Sequence, residues 1–164
     1  MSATLKLRSV DEVARLCEQA RERGRTVVLC NGVFDLLHVG HLRYLEGARR
    51  LADLVVVAIN SDASVRENRG PGRPIVPEAE RAELVAGLWC VDVVTVFDDP
   101  DVRGLLRTLR PNVHAKGSDY TPDTVPERDV AAELGARVVI TGDPKLHAAT
   151  DLIARVRALA GPAS

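Results

Sequence analysis

Two stretches of opposite periodicity meet between residues 26 and 52, and their junction constrains what this chain can fold into. Thr26-Val27-Val28-Leu29-Cys30 is a short, β-branched apolar run bounded by polar residues, which predicts a buried strand. From Leu42 the apolar residues fall at Leu42, Leu45, Ala48, Leu51 and Ala52, with Arg43, Glu46, Arg49 and Arg50 between them. That spacing predicts an amphipathic helix. The intervening Asn31-Gly32-Val33-Phe34-Asp35-Leu36-Leu37-His38-Val39-Gly40-His41 is therefore a strand-to-helix turn, with His38 and His41 at the helix's first turn. Unpaired N–H groups and the positive end of the dipole make a helix start an anion site. Two imidazoles add donors aimed the same way, and Gly40 lets a phosphate approach the backbone. The same histidines would also suit turn capping or a partial metal site. Catalytic zinc usually takes three protein ligands, and no third histidine or cysteine is near in sequence.

The rest of the chain repeats the alternation. An opening helix over 10–23 carries Val10, Val13, Leu16, Cys17 and Ala20 on one face, with Ser9 or Asp11 to cap it and Gly24 to end it. Residues 54–59 are continuously apolar, as in a parallel strand covered on both faces, and stop at Asn60-Ser61-Asp62. Residues 66–77, with Arg66, Arg69 and Arg73 among glycines and prolines, read as a basic loop. Further helices are expected over 78–88, 102–109, 127–134 and 149–159, and further strands over 91–97, 113–115 and 137–141. Five apolar strands alternating with helices predict one doubly wound, Rossmann-like α/β domain over 1–164, with its core at about 10–160 and a five-stranded parallel sheet. Right-handed crossovers bring the strand C-terminal ends to one rim, where such sheets bind ligands.

Composition narrows the function. With 46% apolar and 27% charged residues in 164, the chain suits one globular domain. A net charge of −1 exerts no general pull toward nucleic acid or anionic membrane, and 3% aromatics are too few for base-stacking platforms. No run is long enough to span a membrane, and no apolar signal core opens the chain, so a cytoplasmic location is expected. Cys17, Cys30 and Cys90 lack metal spacing and read as reduced, buried residues. Neither a Gly-x-x-x-x-Gly-Lys loop nor a nucleophile beside a base is evident, which argues against a phosphate-loop kinase and covalent catalysis.

Gly32-Val33-Phe34-Asp35-Leu36-Leu37-His38-Val39-Gly40-His41 resembles the signature of nucleotidyltransferases that carry a His-x-Gly-His motif. Four further pieces follow in order: residues 60–66, Gly70-Pro71-Gly72-Arg73-Pro74-Ile75, Glu80-Arg81-Ala82-Glu83 and Lys116-Gly117-Ser118-Asp119-Tyr120-Thr121. The set, from about residue 10 to about 157, is similar to the adenylyltransferases that make ADP-heptose from D-glycero-D-manno-heptose 1-phosphate. The resemblance implies AMP transfer from ATP to a sugar 1-phosphate, with pyrophosphate released. It implies His38, His41 and Lys116 as catalytic groups on the phosphates, and Gly32, Phe34, Gly40 and Thr150 at the nucleotide. It also implies Asp35, Asn60, Arg66, Arg69 and Arg73 at the acceptor, Mg²⁺ on the triphosphate with no dedicated protein metal site, a homodimer, and a separate sugar kinase upstream. Asp35 and Asn60 suit turn capping equally well, and only one or two of the arginines are expected to be ligands. The chain departs from the family at Ser118, where glycine is usual, and at Ala148-Ala149-Thr150, where hydroxyls are usual. Those departures keep open a nucleotide-binding module with weakened activity; a cytidylyltransferase acting on glycerol 3-phosphate is the other alternative.

Overall fold

Burial on both faces explains why the strands are continuously apolar. The computed structural model describes residues 3–143 and 149–160. In it β1 (Val27–Gly32), β2 (Leu54–Asn60), β3 (Val93–Phe97), β4 (Val113–Gly117) and β5 (Arg137–Thr141) form one sheet, in the order β3-β2-β1-β4-β5 with every pair parallel. The helices are α1 (Val10–Glu22), α2 (Val39–Arg49), α3 (Asp62–Arg69), α4 (Glu78–Ala86), α5 (Arg103–Leu109), α6 (Arg128–Glu133) and α7 (Ala149–Ala160). Alternate strand residues enter opposite cores. Val28, Cys30, Val55, Val57 and Ile59 pack with Leu45 of α2 and Val85 of α4. Val27, Leu29, Val56 and Ala58 pack with Val13 of α1, Leu106 of α5 and Val130 of α6. Helices therefore cover both sides, the doubly wound, Rossmann-like α/β arrangement read from the sequence.

Strand order decides where the site lies. From β1 the chain moves outward through β2 to β3, then returns to the other side of β1 for β4 and β5. The switch point falls between β1 and β4, and open α/β sheets bind ligands outside the strand ends at that point. The histidine turn leaves the end of β1, and Lys116 stands near the end of β4.

Several boundaries differ from expectation. The basic loop over 66–77 is a correction: residues 62–69 are helix α3, capped where the Ser64 amide donates to Ser61 Oγ at 3.2 Å, and the loop begins at Gly70. That helix buries only Ser64 and Val65, too narrow an apolar stripe to register among four charged residues. The α2 helix begins at Val39 rather than Leu42, and β4 runs on to Gly117, which puts Lys116 inside the strand. A 3₁₀ turn at Ala3–Lys6 precedes α1, and Leu7 then bridges to Val94 on edge strand β3. All three cysteines are free and buried. No helix among the described residues is long and apolar enough to cross a membrane.

The seam between α2 and the end of β5 is the tightest approach that bears on the site. A Cβ on Gly47 would lie 2.8 Å from Thr141 Cβ, and one on Gly142, at φ +89°, would lie 3.3 Å from Tyr44 Cα. Gly47→Ala is therefore expected to destabilise the fold by about 1–3 kcal/mol through overpacking, read as a lower urea midpoint. An unchanged midpoint would mean that the seam opens without cost.

Candidate active site

The turn after β1 is held in a conformation it would not adopt alone. Phe34 (φ +53°) and Leu36 (φ +49°) are both left-handed without being glycine, a strain of order 1–3 kcal/mol each. Three groups hold them. The Phe34 ring is buried against Gly32, where a Cβ would come within 3.2 Å of it. Asp35, 6% exposed, accepts from the amides of Ile75 (3.0 Å) and Val76 (3.0 Å) and pairs with Arg73 at 3.1 Å. Arg81, 1% exposed, donates to the carbonyls of Val33 and Val76 and pairs with Asp62 at 2.7 Å.

So supported, the turn delivers two oriented imidazoles. His38 is the N-cap of α2, and its Nδ1 accepts the Gly40 N–H at 3.1 Å. His41 Nδ1 accepts the His38 N–H at 3.4 Å, and the rings stack with centroids 3.9 Å apart. A ring nitrogen that accepts carries no proton, so both rings hold theirs on Nε2. Burial, then His38, drives the His41 pKa down to about 4, against a smaller opposing effect of Asp119. At neutral pH His41 is an uncharged N–H donor.

Across the switch point stands Lys116, only 6% exposed. Its Nζ lies 3.3 Å from Asn31 Oδ1, 3.8 Å from Glu127 Oε2 and 4.8 Å from the Tyr120 ring centroid. Cys30 pairs with Ala115 in the register, which sets Asn31 beside Lys116, and His114 shares Lys116's face of β4. His114 Nε2 reaches the same Asn31 oxygen at 3.0 Å. Burial, reinforced by Lys116, takes the His114 pKa down to about 3. Burial also lowers the Lys116 pKa, and Glu127 pulls it part of the way back.

The remaining predicted residues divide. Asn60, Arg69, Arg73, Gly40, Ala149 and Thr150 line the same cavity of about 390 Å³ as the histidines and Lys116. Asn60 Nδ2 donates to Ser64 Oγ at 3.2 Å. Arg66, exposed on α3, is not among the lining residues. Asp35 does line the cavity, with both oxygens already engaged by the 73–76 segment. Ala148 lies outside the described residues. Ser118 ties two rim loops together by donating to the Asp143 carbonyl at 2.5 Å, and Arg43 pairs with the Asp143 carboxylate at 2.6 Å. Asn31, Glu127, Arg43 and Asp143 were not singled out from the sequence. Asn31, polar at the end of an apolar run beside Gly32, was the one detectable signal. Among the described residues no group of three or more His, Cys, Asp or Glu side chains is placed to hold a metal.

A switch-point cavity walled by N–H donors, a buried lysine and arginines has the chemistry that joining phosphates requires. The cytidylyltransferase-like family model matches residues 29–153; the chain belongs to that family and is a nucleotidyltransferase by class. It is 46% identical over 151 residues to the Bifunctional protein HldE of Syntrophotalea carbinolica, covering 92% of this chain and 31% of that protein. With the Bifunctional protein HldE of Geotalea uraniireducens the identity is 43% over 152 residues, covering 93% and 31%. The chain thus spans about a third of the length of the curated relatives it matches. The crystal structure of the lipopolysaccharide core biosynthesis protein from Thermoplasma volcanium GSS1 is similar at a TM-score of 0.63 and 26% identity, covering 73% of this chain and 98% of that one.

Asp35 supplies a pH test of how the turn is held. Burial raises its pKa, but the Ile75 and Val76 amides and the Arg73 guanidinium outweigh this and hold it below the usual carboxylate range. A carboxyl with a depressed folded-state pKa adds stability that is present above its unfolded value and lost as pH falls through the folded one. In Asp35→Asn the stability difference between about pH 7 and pH 3 should therefore shrink relative to wild type, as urea midpoints at each pH will show. An equal difference would remove Asp35 from the turn's support.

Proposed function

We propose that the chain transfers AMP from ATP to D-glycero-D-manno-heptose 1-phosphate and releases pyrophosphate. One observation carries the reading: His38 and His41, whose Nδ1 atoms accept backbone N–H groups and leave Nε2 as donor, line one cavity with Lys116. The ordered motif set points to the heptose acceptor, and the similarity to the HldE proteins and to a lipopolysaccharide core biosynthesis protein supports it.

The acceptor's phosphate oxygen attacks the α-phosphorus in line. A new P–O bond forms, the bond to the β-phosphate oxygen breaks, and pyrophosphate carries off the electron pair. The chain's task is to hold two polyanions together and to stabilise charge that grows on the phosphorus and the leaving oxygen. His38 and His41, the latter uncharged at neutral pH, donate to phosphate oxygens. Lys116 bridges the phosphates of nucleotide and acceptor. Arg69 and Arg73 bind the sugar phosphate or the triphosphate; Arg66, outside the cavity, is left to attract anions from solution. Gly32, Phe34, Gly40 and Thr150 shape the nucleotide's side, and Asn60 meets the acceptor. Asp35 acts here through Arg73, whose guanidinium it anchors. These donors suit a triphosphate that brings its own Mg²⁺, which would neutralise charge on the leaving group. The acceptor requires a sugar kinase upstream, and the active species is read as a homodimer.

Pyrophosphate release separates the candidates. ATP with heptose 1-phosphate should support turnover, and CTP with glycerol 3-phosphate should not; the reverse pattern would overturn the reading. His41→Ala should lower kcat by on the order of a hundredfold with little change in melting temperature, and His38→Ala should do likewise. Lys116→Arg should recover only part of what Lys116→Ala loses, because a planar fork does not replace a point ammonium.

A further inference from the structure

Behind Lys116 sits a carboxylate that the transfer scheme does not use. Glu127 is 5% exposed and immediately precedes α6, yet it makes no side-chain capping bond to that helix. Its Oε2 is buried with no hydrogen-bond partner among the described residues, and Lys116 Nζ lies 3.8 Å away. A buried carboxylate kept only for structure is normally saturated by donors, because desolvating it unpaired is costly. Here the pairing is by charge alone, across a gap too long for a hydrogen bond.

Among the described residues, the other groups near Nζ carry no compensating charge. On β1, burial pushes the Cys30 thiol up to about 12, so it is neutral, and Asn31 presents an amide oxygen. On β4, His114 is neutral, its pKa taken down to about 3. From the loop after β4, Tyr120 offers the face of its ring. Glu127 at the start of α6 supplies the negative charge. A lysine that must meet phosphates as an ammonium, yet is 6% exposed, depends on such a partner before the phosphates arrive. The slack of 3.8 Å keeps it exchangeable: Nζ can leave the carboxylate for a phosphate oxygen without breaking a short, directed bond.

We propose that Glu127 is a positioning residue for nucleotidyl transfer, a resident anion that holds Lys116 charged at the switch point and yields it to substrate phosphates. The inference rests on the role given to Lys116 above.

Two measurements on Glu127→Gln, which keeps shape and removes charge, test it. The Lys116 side-chain nitrogen, titrated by NMR without substrate, should lose its proton at lower pH than in wild type. The alkaline limb of kcat/KM should move to lower pH in the same direction, so that the loss of rate grows as pH rises and is smallest near neutrality. A purely structural glutamate would lower the melting temperature, or the rate uniformly, without moving either titration. Glu127→Asp should restore part of both shifts, and it serves as the folded alternative if the glutamine variant is unstable. In a Lys116→Met background, Glu127→Gln should leave the pH profile where it was. An unmoved Lys116 titration in folded Glu127→Gln overturns the proposal, as does a moved titration with an unmoved kcat/KM limb. Wild-type protein inactive with ATP and heptose 1-phosphate overturns the substrate reading instead, and the NMR titration then decides whether Glu127 holds Lys116 charged.

Discussion

The buried guanidinium of Arg81 ties together the segments that make the site. Its donors reach the Val33 carbonyl in the turn after β1, the Val76 carbonyl in the loop before α4, and the Asp62 carboxylate at the start of α3. Glu78 adds a second tie by accepting the Asp62 amide at 2.6 Å. A cation this deeply buried is tolerable because each of its three nitrogens reaches an oxygen, and losing one such oxygen would leave charge uncompensated. Arg81, through the Val33 carbonyl, and Asp35 thereby hold the backbone on either side of left-handed Phe34, and left-handed Leu36 follows directly. Strain of that kind persists where surrounding structure over-determines it, and here it aims the entry to α2 at the switch point.

The charge logic of the cavity follows from its burial. Desolvation suppresses protonation of His41 and His114, so the imidazoles serve as dipolar donors or props rather than cations. The cavity's positive charge lies instead on its lining arginines and on Lys116 beside Glu127. Neutral donors fixed by backbone N–H groups need no reorganisation when charge develops nearby, which suits a reaction whose demands are positional and electrostatic. The rim is narrowed by links absent from the motif itself: Ser118 to the Asp143 carbonyl and Arg43 to the Asp143 carboxylate. Ser118 is thus engaged in joining the loops after β4 and β5.

Most strands and helices, and the histidine turn itself, were legible because hydrophobic periodicity and turn chemistry are local properties. Val27 to Cys30, the 54–59 run and the spacing from Leu42 declare their elements without knowledge of their partners. The helix at α3 was hidden because its contacts with the core come from only two residues, Ser64 and Val65. Lys116 was legible as a candidate through the resemblance, whereas Asn31, His114 and Glu127 were not read as its companions. Their meeting depends on the pairing of β4 with β1 and on where α6 begins.

The sequence by itself determined the α/β class, the existence of the strand-to-helix turn with its two histidines and the resemblance to heptose phosphate adenylyltransferases, because each is written in local stretches of residues. Only the tertiary structure decided that the switch point lies between β1 and β4, that Arg66 falls outside the cavity while Arg69 and Arg73 reach it, and that Asp35 spends its oxygens on the loop beside it. The physical reason is distance along the chain. Burial, pKa and hydrogen-bond partnership are set by neighbours that strand register and crossover direction bring together from far apart in sequence.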